Sequence, residues 1–233
     1  MQFFVGTSGY SYPKWRGSFY PAKMKPVAML SYYAEHFAAC ELNDTFRRLP
    51  TVEVVAERAR HVPARFRFAV KAPPTITHRK RLRDVAEDAE QFLTVAKALG
   101  RKLGPLLFQL PPNMKQDLAR LDALLKAIDR RANVAVEFRH PSWFADDTYA
   151  LLKKHRAALC AADAEELPEA PLIDAAKWGY VRMRRENYTD RQLRAWITKL
   201  RARPWAKCYV FFKHEDTGTG PHFAARFLDL AAE

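Results

Sequence analysis

Eight short runs of this chain are rich in Val, Phe, Leu and Ala, the pattern of strands buried on both faces in a parallel sheet. They are Phe3–Ser8, Ala39–Phe46, Phe66–Pro73, Pro105–Pro111, Asn133–His140, Ala157–Asp163, Gly179–Arg184 and Lys207–His214. Helical periodicity fills most of the gaps. Lys25–Phe37 opens with Pro26 in its first turn, and Thr51–Val62 sets Thr51 as an N-cap before Val52, Val55, Ala56 and Ala59 on one face. Ala86–Leu99 stops at Gly100, a C-cap residue, and Asp117–Arg131 repeats Leu118, Leu121, Leu124, Leu125 and Ile128 at helical spacing. Asp146–Arg156 follows, then Thr189–Arg203 with Leu193, Trp196, Ile197 and Leu200 on its apolar face, and Gly220–Ala232 closes the chain. Between the sixth and seventh strands, Ala164–Lys177 holds two prolines and little helical period, so that helix is predicted to be short or missing.

Strand and helix alternating over short connections predict a single-domain TIM-type (β/α)₈ barrel spanning residues 1–233. The length of 233 residues is slightly under the usual size of about 250 for this architecture. An open doubly wound sheet is the alternative. It is weakened because no glycine-rich dinucleotide fingerprint follows the first strand.

What ends each strand changes the picture from architecture to chemistry. The second strand ends in Glu41 and Asn43, the third in Lys71, the fourth in Gln109, and the fifth in Glu137 and Arg139. The sixth ends in Asp163, the seventh in Arg182 and Arg184, the eighth in Lys213 and His214. Side chains alternate along a strand, so parity assigns faces. Val134, Val136 and Phe138 suit the helix side, which turns Ala135, Glu137 and Arg139 inward. Phe66, Phe68 and Val70 likewise leave Arg67, Ala69 and Lys71 inside, and Cys40 and Leu42 leave Glu41 and Asn43 inside. Phe211 and Phe212 make the eighth strand compatible with either parity. Barrel enzymes gather their chemistry on the C-terminal ends of several strands. Buried ions that merely paired with one another would add little net stability, so a ligand site is the simpler reading.

Composition narrows the class. At 48% hydrophobic and 28% charged the chain can bury a core, and no run approaches the roughly 18 apolar residues of a membrane span. The N-terminus enters a strand at once, with no basic start or cleavage site, and this predicts a cytoplasmic protein with no membrane partner. Cys40, Cys160 and Cys208 lie in apolar runs without ligand spacing and are expected as structural thiols. The net charge of +13 points to an anionic partner only where its position supports one. Arg130, Arg131, Lys153, Lys154, Arg156, Arg201 and Arg203 sit at helix C-termini, where the helix dipole accounts for them. The loops at the strand ends carry Lys14, Arg16, Arg47, Arg48, Arg79, Lys80, Arg81, Arg83, Arg184 and Arg185 among Tyr10, Tyr12, Trp15, Tyr20, Trp143 and Tyr188. Basic residues interleaved with aromatics suit phosphates and bases, or else the aromatics pack the loops down. The turn Thr217-Gly218-Thr219-Gly220-Pro221 opens the last helix where barrels often hold phosphate.

Motifs quoted in order make the resemblance specific: Gly6-Thr7-Ser8-Gly9-Tyr10-Ser11-Tyr12, Glu41-Leu42-Asn43-Asp44-Thr45-Phe46 with Arg48-Leu49-Pro50, and Phe66-Arg67-Phe68-Ala69-Val70-Lys71-Ala72-Pro73 with Thr77-His78. Gly104-Pro105-Leu106-Leu107-Phe108-Gln109-Leu110-Pro111-Pro112 and Val136-Glu137-Phe138-Arg139-His140 with Ser142-Trp143 complete them. Over nearly its whole length the chain resembles the YecE-like proteins, domain-of-unknown-function family number 72. The resemblance implies a TIM barrel with a polar site at the strand ends and no assigned reaction. Two departures, Arg184-Arg185 after the seventh strand and Lys213-His214-Glu215-Asp216 after the eighth, imply a more anionic ligand for this member.

Three function classes fit. The first is an enzyme on a phosphate-bearing substrate, nucleic acid included, with Glu41, Lys71, Glu137 and Asp163 catalytic. Ser8, Tyr10, Asn43, Gln109, Arg139, Arg182, Arg184, Lys213 and His214 would bind the substrate. A divalent metal on Glu41, Glu137, Asp163 and His214 is not favoured, because Lys71 and Arg139 compete for the same carboxylates. The second is a glycosidase-like hydrolase with Glu41 and Glu137 flanking a sugar, and the third a non-catalytic module for single-stranded nucleic acid or a small anion. Lys71 could also form a Schiff base. No feature of the sequence specifies an oligomeric state.

Overall fold

The computed structural model of the protein describes residues 1–46, 48–167, 170–213 and 218–233. Its strands are β1 (Gln2–Thr7), β2 (Ala39–Leu42), β3 (Arg67–Lys71), β4 (Leu103–Gln109), β5 (Val134–Glu137), β6 (Ala158–Asp163), β7 (Trp178–Met183) and β8 (Lys207–Phe212). Helices α1 (Pro26–His36), α2 (Val52–Arg60), α3 (Ala86–Lys97), α4 (Leu118–Ile128), α5 (Asp146–His155), α6 (Asp190–Arg201) and α7 (Thr219–Ala232) surround them. The described residues between β6 and β7 form no helix, as the two prolines there predicted. Local chemistry sets the ends of these elements. Thr51 accepts from the Val54 N–H at the start of α2, and Thr189 and Gln192 form a reciprocal capping box on α6.

All strands pair in parallel in the order β1-β8-β7-β6-β5-β4-β3-β2. The last seam, between β1 and β2, is closed by a single bridge from Ser8 to Glu41, with the Gly9 N–H donating to Glu41 O at 2.7 Å. The result is a nearly closed TIM-type barrel. Several strands are shorter than the apolar runs that predicted them. β2 stops at Leu42 and β5 at Glu137, so Asn43 and Arg139 lie on the chain as it turns out of the barrel.

Within the strands, Glu41, Lys71 and Glu137 share the inward parity of Ala39, Ala69 and Ala135, as the alternation predicts. Ala39, Ala69, Leu107, Ala135 and Ala158 fill the interior from β2 to β6, while Phe4, Tyr180, Tyr209 and Phe211 fill it from β1, β7 and β8. Large side chains on one wall thus meet alanines on the other and fill the bore. Phe4 stacks on Tyr209 with ring centroids 4.9 Å apart. The eighth strand is settled as well: Tyr209 and Phe211 face inward, and Cys208, Val210 and Phe212 pack under the helices. No helix among the described residues is long and apolar enough to cross a membrane.

The sparse β1–β2 seam depends on Gly6 and Tyr33. The Tyr33 hydroxyl accepts from the Thr7 N–H at 2.7 Å and donates to Ala39 O at 3.1 Å, clipping the two strands from α1. A Cβ on Gly6 would lie 1.8 Å from that same carbonyl oxygen. Backbone cannot yield there without opening the barrel. At Gly179, by contrast, a Cβ would meet the ring of buried Trp205 at 2.1 Å, a clash with a side chain and not with the backbone of the seam. Gly6→Ala is therefore expected to cost about 3 kcal/mol or more and Gly179→Ala about 1 kcal/mol. Urea denaturation of both variants checks this, and equal losses would contradict the role given to the seam.

Candidate functional site

Above the apolar layers of the bore lies a charged layer centred on Arg182 of β7, which is 2% exposed. Its Nη2 donates to Glu41 Oε1 at 2.9 Å, and its Nη1 donates to Glu137 Oε2 at 2.6 Å and to Gln109 Oε1 at 3.2 Å. One guanidinium from β7 thereby ties together β2, β4 and β5 across the barrel. Both carboxylates have further donors. Glu41 accepts from Ser8 Oγ at 2.8 Å and from the Tyr180 hydroxyl at 2.7 Å, and Glu137 accepts from Arg139 Nε at 2.9 Å.

These contacts fix protonation. Burial alone would raise the Glu137 carboxyl, but Arg182 and Arg139 overturn that and hold it at about 2. Burial and Arg182 oppose each other in the same way at Glu41, which also ends below the usual carboxylate range. Burial disfavours the Arg182 cation, yet the two carboxylates hold it charged well beyond an ordinary arginine. Glu41 and Glu137 are thus permanent anions, saturated with donors and sealed from solvent. Neither suits a general acid or a base that must release its hydrogen bonds, and the pair does not flank an open space as a glycosidase requires.

The groups that reach the mouth are cationic. Lys71, half-buried at the end of β3, lies 3.9 Å over the Phe46 ring and has no ion pair among the described residues. Burial, then the neighbouring Arg182, brings its ammonium down to about 8. Arg184, just beyond β7, donates to Ser8 Oγ at 3.0 Å, and burial followed by Arg182 lowers it to about 10. Arg139 completes the set with 27% of its side chain exposed. Within this layer four cations (Lys71, Arg139, Arg182 and Arg184) face two carboxylates. Among the described residues this layer has a surplus of positive charge that no further carboxylate neutralises.

Two contributors escaped the reading of strand ends. Tyr180 shares the inward face of β7 with Arg182, and extending the parity argument to that strand would have found it. His78 lies on a π-helical turn (Thr75–Arg79) in the β3–α3 loop, where strand parity gives no information. Thr77 Oγ1 and His78 Nδ1 share a hydrogen bond at 2.8 Å; with the ring proton on Nδ1 the Thr77 hydroxyl is the acceptor and Nε2 keeps a free lone pair. Burial, then Lys71 and Arg139, keep the ring neutral by lowering its pKa. The His78 and Phe46 rings meet edge to face at 5.1 Å, so Lys71 and His78 flank one phenyl ring. Arg81, Leu82 and Asp84 follow with positive φ, a concentration of strained backbone beside the mouth.

Other candidates lie elsewhere. Asp163 shares the outward parity of Leu159 and Ala161, and its carboxylate accepts from Arg185 Nε at 2.7 Å and Trp196 Nε1 at 2.9 Å, which anchors α6. Its side chain therefore lies on the helix side of β6 and not among the inward groups around Arg182. Asn43 and Tyr10 line a cavity of about 420 Å³ with Tyr12, Asp44 and Arg58, beside the mouth on the β1–β2 side. Ser8 and Gln109 are buried supports for the ion layer. Lys213 follows β8 with its N–H donating to Met183 O at 2.8 Å. His214, Arg47 and Thr217 of the glycine turn lie outside the described residues. In that turn, Gly220 packs so closely on Lys213 O that a Cβ would lie 2.4 Å away, so packing accounts for it.

The interleaved aromatics are mostly structural. Trp15, Tyr20, Trp143 and Tyr188 are buried, and Trp143 stacks on Phe138 at 4.5 Å with its Nε1–H on Met114 O at 2.8 Å. Several loop cations are engaged too: Lys80 with Asp88, Arg81 with Asn113, Arg185 with Asp163. No three His, Cys, Asp or Glu side chains among the described residues group as metal ligands.

Comparison with known proteins agrees with this architecture. A family profile described as "Protein of unknown function DUF72" matches residues 4–233. UPF0759 protein YecE of Escherichia coli strain K12 is 33% identical over 143 residues, 61% of this chain and 50% of that protein. The chain thus spans about half the length of the curated relatives it matches. A DUF72 family protein from Thermotoga maritima superposes with a TM-score of 0.82 over the full length of both chains at 28% identity. One from Enterococcus faecalis gives 0.84 at 18% identity, covering 100% of this chain and 96% of the other, and supports the fold.

Arg182→Met would leave two buried anions uncompensated and is expected to destabilise the protein by about 3–5 kcal/mol, measured by urea denaturation. Lys71 behaves oppositely. Its folded pKa of about 8 lies below the unfolded value of 10.5, so the native state releases its proton first and stability rises with pH through that window. Lys71→Met is therefore expected to stabilise at pH 7 by about 1–3 kcal/mol, a gain that vanishes above pH 10.5. A gain independent of pH would contradict the charge argument.

Proposed function

The chain belongs to the DUF72 family, and on that premise we propose that it binds a phosphate-bearing small molecule at the C-terminal mouth of the barrel and acts on it through Lys71 and His78. One observation carries this reading: four clustered cations share two carboxylates, and both carboxylates are consumed by Arg182 and its neighbours. Cations that depress one another are costly to hold together unless an anion enters among them. A phosphate contacting Lys71, Arg139 and Arg184 would restore each toward its ordinary basicity, which is the source of its affinity.

The division of labour follows from burial. Arg182, Glu41, Glu137, Gln109, Ser8 and Tyr180 form a preorganised floor that holds the mouth cations in place without touching solvent. Hydrolysis or any other proton transfer falls to the half-buried groups: neutral His78 as base through Nε2, and Lys71 as acid at its lowered pKa. The neighbouring cavity lined by Tyr10, Asn43 and Arg58 offers room for the organic part of the ligand. A compact ligand is favoured over single-stranded nucleic acid because the aromatics needed to stack successive bases are mostly buried. Three buried, unpaired cysteines support a cytoplasmic location.

Calorimetric titration with inorganic phosphate and pyrophosphate tests the reading. Binding is expected to weaken with added salt, and Arg139→Ala or Arg184→Ala should each weaken it by about tenfold, roughly 1.4 kcal/mol. Asp163→Asn should leave it unchanged. Unaltered affinity in the two arginine variants, or no saturable binding by the wild type, would overturn the proposal.

A further inference from the structure

Lys71 has an environment that anion binding alone does not require. A lysine that only neutralised phosphate would work best fully charged and solvated, as a surface ammonium is. Lys71 is instead drawn back over the face of Phe46, half-buried, with no carboxylate partner among the described residues and with Arg182 and Arg139 as charged neighbours. Its backbone is pinned as well, since the Thr45 hydroxyl donates to Lys71 O at 2.6 Å. The same phenyl ring packs against the His78 ring at 5.1 Å between centroids, and with the proton on Nδ1 the His78 Nε2 lone pair is available as a base. An amine fixed in place, kept from carboxylates and set beside a neutral imidazole has the features of an imine-forming lysine.

We infer that Lys71 condenses with an aldehyde or ketone bearing a phosphate group, Arg139 and Arg184 holding the phosphate while Lys71 Nζ attacks the carbonyl carbon. This inference rests on the anion-binding reading above and adds the class of substrate and the covalent step. The neutral amine forms the C–N bond as the carbonyl oxygen takes up a proton from solvent, giving a carbinolamine; that solvent proton is the one whose charge the iminium finally carries. His78 Nε2 accepts the proton lost from nitrogen and returns it to the departing hydroxyl, which leaves as water. Amine and carbonyl are converted to iminium and water with no oxidant or reductant. Attack of water on the iminium carbon breaks the C–N bond, regenerating Lys71 and the carbonyl compound. The positive charge retained on nitrogen keeps the balance with Glu41 and Glu137 unchanged, so the layer beneath need not rearrange. In the free protein a fraction of Lys71 is already unprotonated at neutral pH, unlike a surface lysine near 10.5, so a free amine is present as the substrate arrives and before its phosphate raises the basicity of Lys71.

The test is reductive trapping of the full chain with glycolaldehyde phosphate and cyanoborohydride, read by intact mass and peptide mapping. Lys71 is expected to be modified at least tenfold faster than any other lysine at pH 7.5, with a rate that rises through about pH 8 and then levels. Lys71→Arg should abolish the fast phase, His78→Ala should slow it at least tenfold while phosphate affinity stays within twofold, and inorganic phosphate should compete. Modification of Lys71 no faster than surface lysines overturns the inference. If phosphate still binds by calorimetry in that case, the anion-binding reading survives alone. If unphosphorylated glycolaldehyde reacts at Lys71 equally fast and phosphate does not compete, the anion-binding reading fails instead. Because the mapping is done on wild-type protein, a variant that misfolds does not decide the outcome.

Discussion

A buried arginine must be compensated, and in this barrel the compensation organises everything above the apolar core. Arg182 leaves the inward face of β7 and is met by Glu41 from β2 and Glu137 from β5, with Gln109 of β4 as a third acceptor. Removing any one of these from water costs several kcal/mol, and such an arrangement seldom adds stability over an apolar filling. What it supplies is position. Four strands are fixed relative to one another at the level where the chain turns outward, and the side chains on those turns inherit that geometry.

The same compensation leaves the mouth electrically unbalanced. Glu41 and Glu137 are spent on Arg182, Arg139, Ser8 and Tyr180, so Lys71 and Arg184 face a field of like charge. Their depressed basicity comes first from burial and then from that field. A protein that wanted only a rigid barrel could have ended these strands in neutral residues. The surplus, half-buried and open to solvent, fits a site that is completed when an anion arrives.

Much of this was legible in the sequence, and the parts that were not have physical reasons. Alternation on β2, β3 and β5 placed Glu41, Lys71 and Glu137 inside because each strand sets bulky apolar residues on one face and small or charged ones on the other. The same rule, carried through β6, would have moved Asp163 to the helix side, where Trp196 and Arg185 hold it. β8 was undecidable from pattern because Phe211 and Phe212 are equally apolar, and only packing against Tyr180 and Tyr209 selects the inward ring. His78 belongs to a loop whose π-turn has no sequence periodicity. Which carboxylates remain free for chemistry was also hidden: residue types announce an acid at a strand end, but whether it is saturated by an arginine three strands away is a matter of tertiary distance.

The claim that the mouth is overcharged can be measured directly on Lys71. Isotope-edited NMR titration of its side chain is predicted to give a pKa near 8 in the free protein, rising by a full pH unit or more when phosphate is saturating. A value near 10.5 that does not respond to phosphate would show that the cations do not burden one another, and the account would fail at its base.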